Sequence, residues 1–196
     1  MEQPMTMPVS GTGNHLGTGG FLNPGMIVSE FGLVPGMVVA DFGSGAGYFT
    51  IIIAERVGEE GKVYALDIME TALDSVRAKA KASELENIET IRTNLEVLGS
   101  SGLFDQSQDI VLLANILFQS DKKVEIAREA KRVLKDGVSL IVIDWKKSAG
   151  GFGPPDSLRT DEVAMRSLAV GEGFIFDKVF NAGQFHFGMM FRKANS

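Results

Sequence analysis

The chain has no cysteine, which excludes disulfides, thiolate metal sites and thiol nucleophiles. Its only two histidines, His15 and His186, lie far apart in sequence, so a histidine-rich metal centre is not expected. Basic residues are in the minority: 19 Lys and Arg stand against 25 Asp and Glu, a formal net charge of -6. That balance argues against a nucleic-acid backbone as the main partner. No apolar run exceeds strand length, so no membrane span is expected. The N-terminus lacks the basic start and apolar core of a secretory signal. These absences lead to the expectation of a soluble, cytoplasmic protein without a resident metal.

What is present is a core. Hydrophobic residues make up 44% of 196, enough for one folded domain. Residues 1–20 are rich in Gly, Thr, Met and Pro without periodicity and read as a flexible lead-in. Residues 21–196 read as a single domain. Within it, Asn23 and Pro24 open a short helix that extends to Phe31. Met37 to Phe42 is an apolar run closed by Asp41 and Phe42, suited to a strand buried on both faces. Tyr48 to Val57 reads as a deeply placed helix, Lys62 to Asp67 as a second strand, and Thr71 to Ser83 as an amphipathic helix. Strands follow at Ile88 to Arg92 and Asp109 to Ala114. A helix over Lys122 to Leu134 is predicted to stop at Lys135-Asp136-Gly137, before a strand over Val138 to Trp145. A Gly- and Pro-rich loop leads to a helix near Thr160 to Gly171. Two strands, Phe174 to Phe180 and Phe185 to Arg192, join through Asn181-Ala182-Gly183. Alternating strands and helices imply a parallel sheet with ligands at the strand C-terminal ends.

The chemistry concentrates at Asp41-Phe42-Gly43-Ser44-Gly45-Ala46-Gly47-Tyr48. Glycine lets the chain turn sharply after a buried strand and lets a ligand approach the backbone. The helix behind it offers unpaired N–H groups. The spacing is GxGxG. The dinucleotide fingerprint puts its third glycine one residue later, where Tyr48 stands, and the Gly-Lys-Ser/Thr of a nucleoside-triphosphate loop is missing. Alone, such a loop also reads as a structural turn. Two acids narrow it: Asp41 ends the strand that feeds the loop, and Asp67 ends the next strand, 24 residues after Gly43. An acid there can accept hydrogen bonds from both hydroxyls of a ribose.

These stretches resemble a known family. VVADFGSGAGYFT (Val38 to Thr50) resembles motif I of class I S-adenosylmethionine-dependent methyltransferases, and KVYALDI (Lys62 to Ile68) resembles their second motif. DIVLLANILFQ (Asp109 to Gln119) is similar to the fourth, and AKRVLKDGVSLIVIDW (Ala130 to Trp145) to the helix, turn and fifth strand. The resemblance runs from about Phe21 to the C-terminus and is to small stand-alone bacterial members of the group that includes the ubiquinone/menaquinone methyltransferases. It implies an α/β, Rossmann-like, doubly wound and mostly parallel seven-stranded sheet with a C-terminal antiparallel hairpin. The implied cofactor is S-adenosyl-L-methionine. The backbone of Gly43, Ser44, Gly45 and Gly47, with Tyr48 beside it, would hold the methionine part, and Asp41 would face its amino group. Asp67 would bind the ribose diol, with Ile68 and Met69 packed on adenine. Asn94 and Leu95 would stand at the adenine amino group, where Asp is more usual. Asn115 would contact the methionyl ammonium through its backbone, and Leu117 and Phe118 would line the methyl-transfer pocket.

Methyl transfer from a sulfonium needs alignment more than a nucleophile from the protein. No catalytic residue follows from the sequence; Asp144, Trp145, His186 and Tyr48 are candidates near the strand ends. Missing thiols disfavour arsenite as acceptor. The absence of an Asn-Pro-Pro-Tyr-type sequence at Asn115-Ile116-Leu117-Phe118 disfavours exocyclic amines and amides. A small or lipophilic acceptor is expected, under a cap built from residues 1–20 and 146–170. The alternatives are a non-catalytic S-adenosylmethionine-binding sensor or partner subunit, or a nucleotide-dependent oxidoreductase. Oligomeric state is not legible.

Overall fold

The computed structural model describes residues 22–150 and 153–195. The expected lead-in of residues 1–20, and Phe21, lie outside the described residues. Seven strands form one sheet in the order β3-β2-β1-β4-β5-β7-β6. They are β1 (Val38–Phe42), β2 (Lys62–Asp67), β3 (Ile88–Arg92), β4 (Gln108–Ala114), β5 (Leu134–Trp145), β6 (Phe174–Asn181) and β7 (His186–Lys193). The first five run parallel, and β7 lies antiparallel between β5 and β6.

Every residue of β1 after Val38 is buried, as its unbroken apolar run requires. Alternate residues of the central strands feed two cores. Val111 and Leu113 face one side with α4 (Lys123–Val133) and α5 (Glu162–Gly171). Ile110 and Leu112 face the other with α1 (Pro24–Val28) and α2 (Tyr48–Val57). The helix α3 (Glu70–Ala82) buries Leu73, Val76 and Ala80. Asn23 caps α1 by accepting from the Met26 N–H at 3.3 Å.

Most element ends lie within two residues of the sequence expectation, and two segments differ in kind. The segment to Phe31 is not one helix: α1 ends at Val28 and Ser29–Phe31 forms a 3-10 turn closed by Gly32 at φ 68°. Lys135-Asp136-Gly137 is not a turn between helix and strand. The strand starts at Leu134, paired with Gln108, and Ile110 next pairs with Ser139. Lys135 to Val138 therefore bulge out of β5 opposite Asp109, with Gly137 at φ 74°. Lys135 reaches Asp109 Oδ1 at 2.6 Å, and Lys193 donates to the Leu134 carbonyl at 2.7 Å, which ties the bulge to both neighbouring strands.

Gly47 caps α2 at φ 80°, and a Cβ there would lie 2.9 Å from Val76 Cγ2 on α3. Backbone strain and overpacking act together at this position. Gly47→Ala is expected to cost about 2 kcal/mol, a fall of roughly 4–8 °C in the melting temperature, measured by calorimetry.

Candidate functional site

The order of the sheet reverses between β1 and β4, and a crevice opens beyond the C-terminal ends of these strands. It holds a cavity of about 1370 Å³, whose walls come from the loops after β1 to β4 and from the start of α1.

The glycine loop is fixed by the strand beside it. The N–H groups of Gly43 and Ser44 both donate to the Leu66 carbonyl, at 2.7 and 3.0 Å. Asp67, at the end of β2, accepts from the Gly45 N–H at 2.9 Å with Oδ2 and from the Met69 N–H at 2.9 Å with Oδ1. Each oxygen keeps a second lone pair for a ligand. Gly43 (φ 74°) packs under Ile116, where a Cβ would meet Ile116 Cδ1 at 2.6 Å. The loop after β1 is thus in contact with the loop after β4.

Asp41 is 1% exposed at the end of β1. Its Oδ2 accepts from Thr50 Oγ1 on α2 at 2.6 Å, and its Oδ1 has no partner. Burial pushes this carboxyl up to about 6; the Thr50 hydrogen bond pulls against burial and the charge of Asp67 adds to it. Two other buried polar atoms on the cavity wall are also unpartnered, Ser44 Oγ and Asn115 Oδ1. Buried polar atoms are rarely left unpaired, so three at one cavity call for a ligand. Lys79 of α3 donates to the Ala46 carbonyl at 2.6 Å, and its ammonium sits 3.7 Å from the centre of the Tyr48 ring.

The structure brings Asp41, Gly43, Ser44, Gly45, Tyr48, Asp67, Ile68, Met69, Asn94, Leu95 and Asn115 to this one cavity. Gly47 is not on its wall and serves the packing of α2 on α3. Leu117 and Phe118, expected to line the pocket, do not. The 3-10 turn Leu117–Gln119 rotates Leu117 into the core, where it is 1% exposed, and Ile116 and Gln119 take its place on the wall. The described part of 146–170 contributes no wall residue either; that side is closed by Leu22 to Met26. Sequence reading missed these five residues, although the Asn23-Pro24 cap was the sign of a helix start and Met26, at 72% exposure, is a large apolar residue with no core role.

Of the candidate catalytic groups, only Tyr48 reaches the cavity. Asp144 is fully buried and accepts from the N–H groups of Phe118 at 3.0 Å and Trp145 at 2.8 Å, so it anchors the turn after β4. Burial pushes it up to about 6 against those two bonds. His186 packs against Trp145 with ring centroids 4.0 Å apart and the planes tilted by 42°. Burial, with the charges of Lys146 and Arg159, lowers it to about 4, so it is neutral at pH 7.

Comparison with known proteins agrees with this arrangement. Residues 33–171 match a methyltransferase-domain family. A demethylmenaquinone methyltransferase from Listeria welshimeri is 36% identical over 100 residues. That match covers 51% of this chain and 41% of the relative, so the chain spans about two-fifths of the length of the curated relatives it matches. The crystal structure of a SAM-dependent methyltransferase from Aquifex aeolicus superposes with a TM-score of 0.80 at 30% identity, covering 87% of this chain and 89% of that one. An arsenic(III) S-adenosylmethionine methyltransferase from Chlamydomonas reinhardtii shares the fold, with a TM-score of 0.65 at 21% identity over 83% of this chain and 64% of that one. With the family model spanning most of its length and the expected sheet beneath it, the chain belongs to the class I S-adenosylmethionine-dependent methyltransferases.

Proposed function

We propose that the chain transfers the methyl group of S-adenosylmethionine to a small, lipophilic acceptor, as one domain spanning residues 21–196. The observation that carries this reading is the pairing of two acids at one cavity: Asp41 with a free, buried carboxylate oxygen, and Asp67 with both oxygens oriented by backbone N–H groups. An ammonium would complete Asp41, and a vicinal diol would complete Asp67. Ser44 Oγ supplies a further polar contact. Ile68 and Met69, 57% and 60% exposed, offer an apolar bed for adenine beside Asn94 and Leu95.

When bound, S-adenosylmethionine supplies a methyl group on a sulfonium that leaves as a neutral thioether. The chain's task is then to bind, align and exclude water. The cavity exceeds the roughly 300–1,000 Å³ usual for one small ligand, which leaves room for an acceptor next to the cofactor. Leu22, Pro24, Phe49 and Ile52 give part of that remaining wall an apolar lining. The name of the Listeria relatives supports a quinol-like ring as the first acceptor to try. No helix among the described residues is long and apolar enough to cross a membrane. The formal net charge of -6 supports a small-molecule acceptor over nucleic acid, and a cytoplasmic location is part of the proposal.

Titration calorimetry with S-adenosylmethionine, S-adenosylhomocysteine and NAD tests the cofactor. The first two are expected to bind, and binding of NAD alone would sink the proposal. Asp67→Ala is expected to weaken S-adenosylmethionine by about 2 kcal/mol, two hydrogen bonds' worth, or roughly thirtyfold. Unchanged affinity would remove Asp67 from the site. Radiolabelled methyl transfer into a metabolite extract separates an enzyme from a binding protein.

A further inference from the structure

The loop after β1 is held from two sides, and the second side is α3. On the β2 side, the N–H groups of Gly43 and Ser44 reach the Leu66 carbonyl, and that of Gly45 reaches Asp67. Beyond Gly45 the ties to β2 stop. Ala46 stands between Gly45 (φ 52°) and Gly47 (φ 80°), and a glycine on each side leaves its peptide groups easy to rotate. What fixes them comes from α3, where Val76 and Lys79 share one face at a spacing of three residues. Val76 packs on Gly47, and the Lys79 ammonium donates to the Ala46 carbonyl at 2.6 Å.

The same ammonium sits 3.7 Å from the centre of the Tyr48 ring, a cation–π contact. Its location is otherwise unfavourable. Tyr48 opens α2, whose first N–H groups carry partial positive charge, and the first turn holds no acid to offset a cation. The carbonyl and the ring keep the lysine there. Both belong to residues of the cavity wall: Ala46 and Tyr48 line it, and Lys79 does not. Tyr48 is 67% exposed, so core packing does not orient its ring. Lys79 therefore acts from behind the wall, on two groups that face the cavity.

We propose that Lys79 is a positioning residue for the methionine part of the cofactor: its ammonium holds the Ala46 peptide and the Tyr48 ring in the arrangement that part requires, without touching it. This rests on the cofactor reading above. Without the ammonium, the peptide and the ring sample other orientations, and ordering them on binding costs affinity. The adenosine part of the cofactor lies against Asp67, Ile68 and Met69, which Lys79 does not contact, so its binding is independent of the lysine.

The test uses the whole chain and two probes, S-adenosylhomocysteine and 5′-methylthioadenosine, which shares the adenosine and lacks the amino-acid part. Lys79→Met keeps a good helix former and removes the charge, and Lys79→Arg keeps a cation that can bond a carbonyl and stack on a ring. Calorimetry well below the melt should show Lys79→Met weakening S-adenosylhomocysteine about tenfold and 5′-methylthioadenosine by less than about threefold. Lys79→Arg should bind S-adenosylhomocysteine within about threefold of the wild type. Tyr48→Leu combined with Lys79→Met should lose less than the product of the two single losses, because the variants remove one shared contact. Unchanged S-adenosylhomocysteine affinity in Lys79→Met overturns the proposal. Equal loss of both probes overturns it too, since that is a general loosening of the fold, as does an Arg variant no better than the Met variant. Multiplicative losses in the double variant remove the Tyr48 ring from the account. The Arg comparison decides alone where 5′-methylthioadenosine binds the wild type too weakly to measure. Failure of S-adenosylhomocysteine to bind the wild type is a different result, since it removes the cofactor reading itself.

Discussion

Asp41→Asn is expected to weaken S-adenosylmethionine and S-adenosylhomocysteine about a hundredfold while raising the melting temperature of the ligand-free protein. Both effects come from one geometry. The carboxylate is 1% exposed, its Oδ1 is unpaired, and Thr50 alone supports the other oxygen. A ligand ammonium bound there loses its only buried counter-charge when Asn replaces Asp. Breaking such a pair costs about 3 kcal/mol, which is roughly two orders of magnitude in affinity. In the ligand-free protein the same charge is a burden. Its pKa rises from 3.8 to about 6 because burial disfavours the ionised form. At about 1.4 kcal/mol per unit of pKa, the ionised carboxylate costs the fold on the order of 3 kcal/mol. Asn keeps the shape and the Thr50 bond and removes the charge. A variant that loses affinity and also melts lower would contradict this account.

The pH dependence follows with a definite sign. Because the folded pKa lies above the unfolded one, the unfolded state releases the proton first, so stability declines as pH rises from about 4 to about 6 and is level beyond. Binding runs the other way. The ammonium needs the ionised carboxylate, so affinity falls as pH drops below about 6, by up to about tenfold per unit. Above roughly pH 7.7 the ligand's own amino group loses its proton. Asp41→Asn should flatten the acid limb and leave the alkaline limb in place, a comparison that calorimetry at several pH values makes directly.

The fold was legible where a local pattern had one structural solution. The apolar run before Asp41 is a doubly buried strand, and Tyr48–Val57 and Lys62–Asp67 begin and end where sequence reading put them. Lys135-Asp136-Gly137 misled because its residues carry a turn signal that tertiary pairing overrides: Gln108 holds Leu134 in the sheet and turns the segment into a bulge. At the cavity, the loop and its two acids were legible because their chemistry is written in residue type and spacing. The wall formed by Leu22 to Met26 was not, because it depends on how α1 docks against α2, through Phe31 stacked on Phe49 at 6.3 Å and through Ile27 and Val28. Leu117 failed for a similar reason. Whether a residue after a strand faces a ligand or the core depends on the rotation of one turn, and here Asp144 fixes that rotation through the Phe118 N–H.

Glu129→Ala is expected to be the most destabilising of these substitutions, and nothing in the amphipathic sequence of α4 distinguishes this acid from its solvated neighbours. Glu129 is 0% exposed. Its carboxylate accepts from the N–H groups of Gly99 at 2.6 Å and Ser101 at 3.2 Å, from the Ser101 hydroxyl, and from Arg132 Nη2 at 2.7 Å and Nε at 2.9 Å. Arg132 in turn donates to the Leu103 carbonyl at 2.8 Å and to Asp105. Burial by itself would raise this carboxyl; the bonds from Arg132, Ser101 and Gly99 outweigh it and hold the pKa at about 2. The folded value lies below the ordinary 4.5, so the stabilisation is complete above about 4.5 and is lost as pH falls from there toward 2. Removing the acid at pH 7 strands a partly buried guanidinium and two backbone donors, at a cost of about 3–5 kcal/mol. For a chain of this size that is a fall of roughly 6–20 °C in melting temperature. Arg132→Met in the same chain should recover part of the loss, because it removes the stranded charge, and the double variant should lose less than the sum of the single ones. A melting temperature within about 2 °C of the wild type in Glu129→Ala would refute the account. The loop held by Glu129 begins with Thr93 to Glu96 on the cavity wall, so at temperatures below the melt the variant should also bind S-adenosylhomocysteine less tightly, through a loosened wall rather than a lost contact.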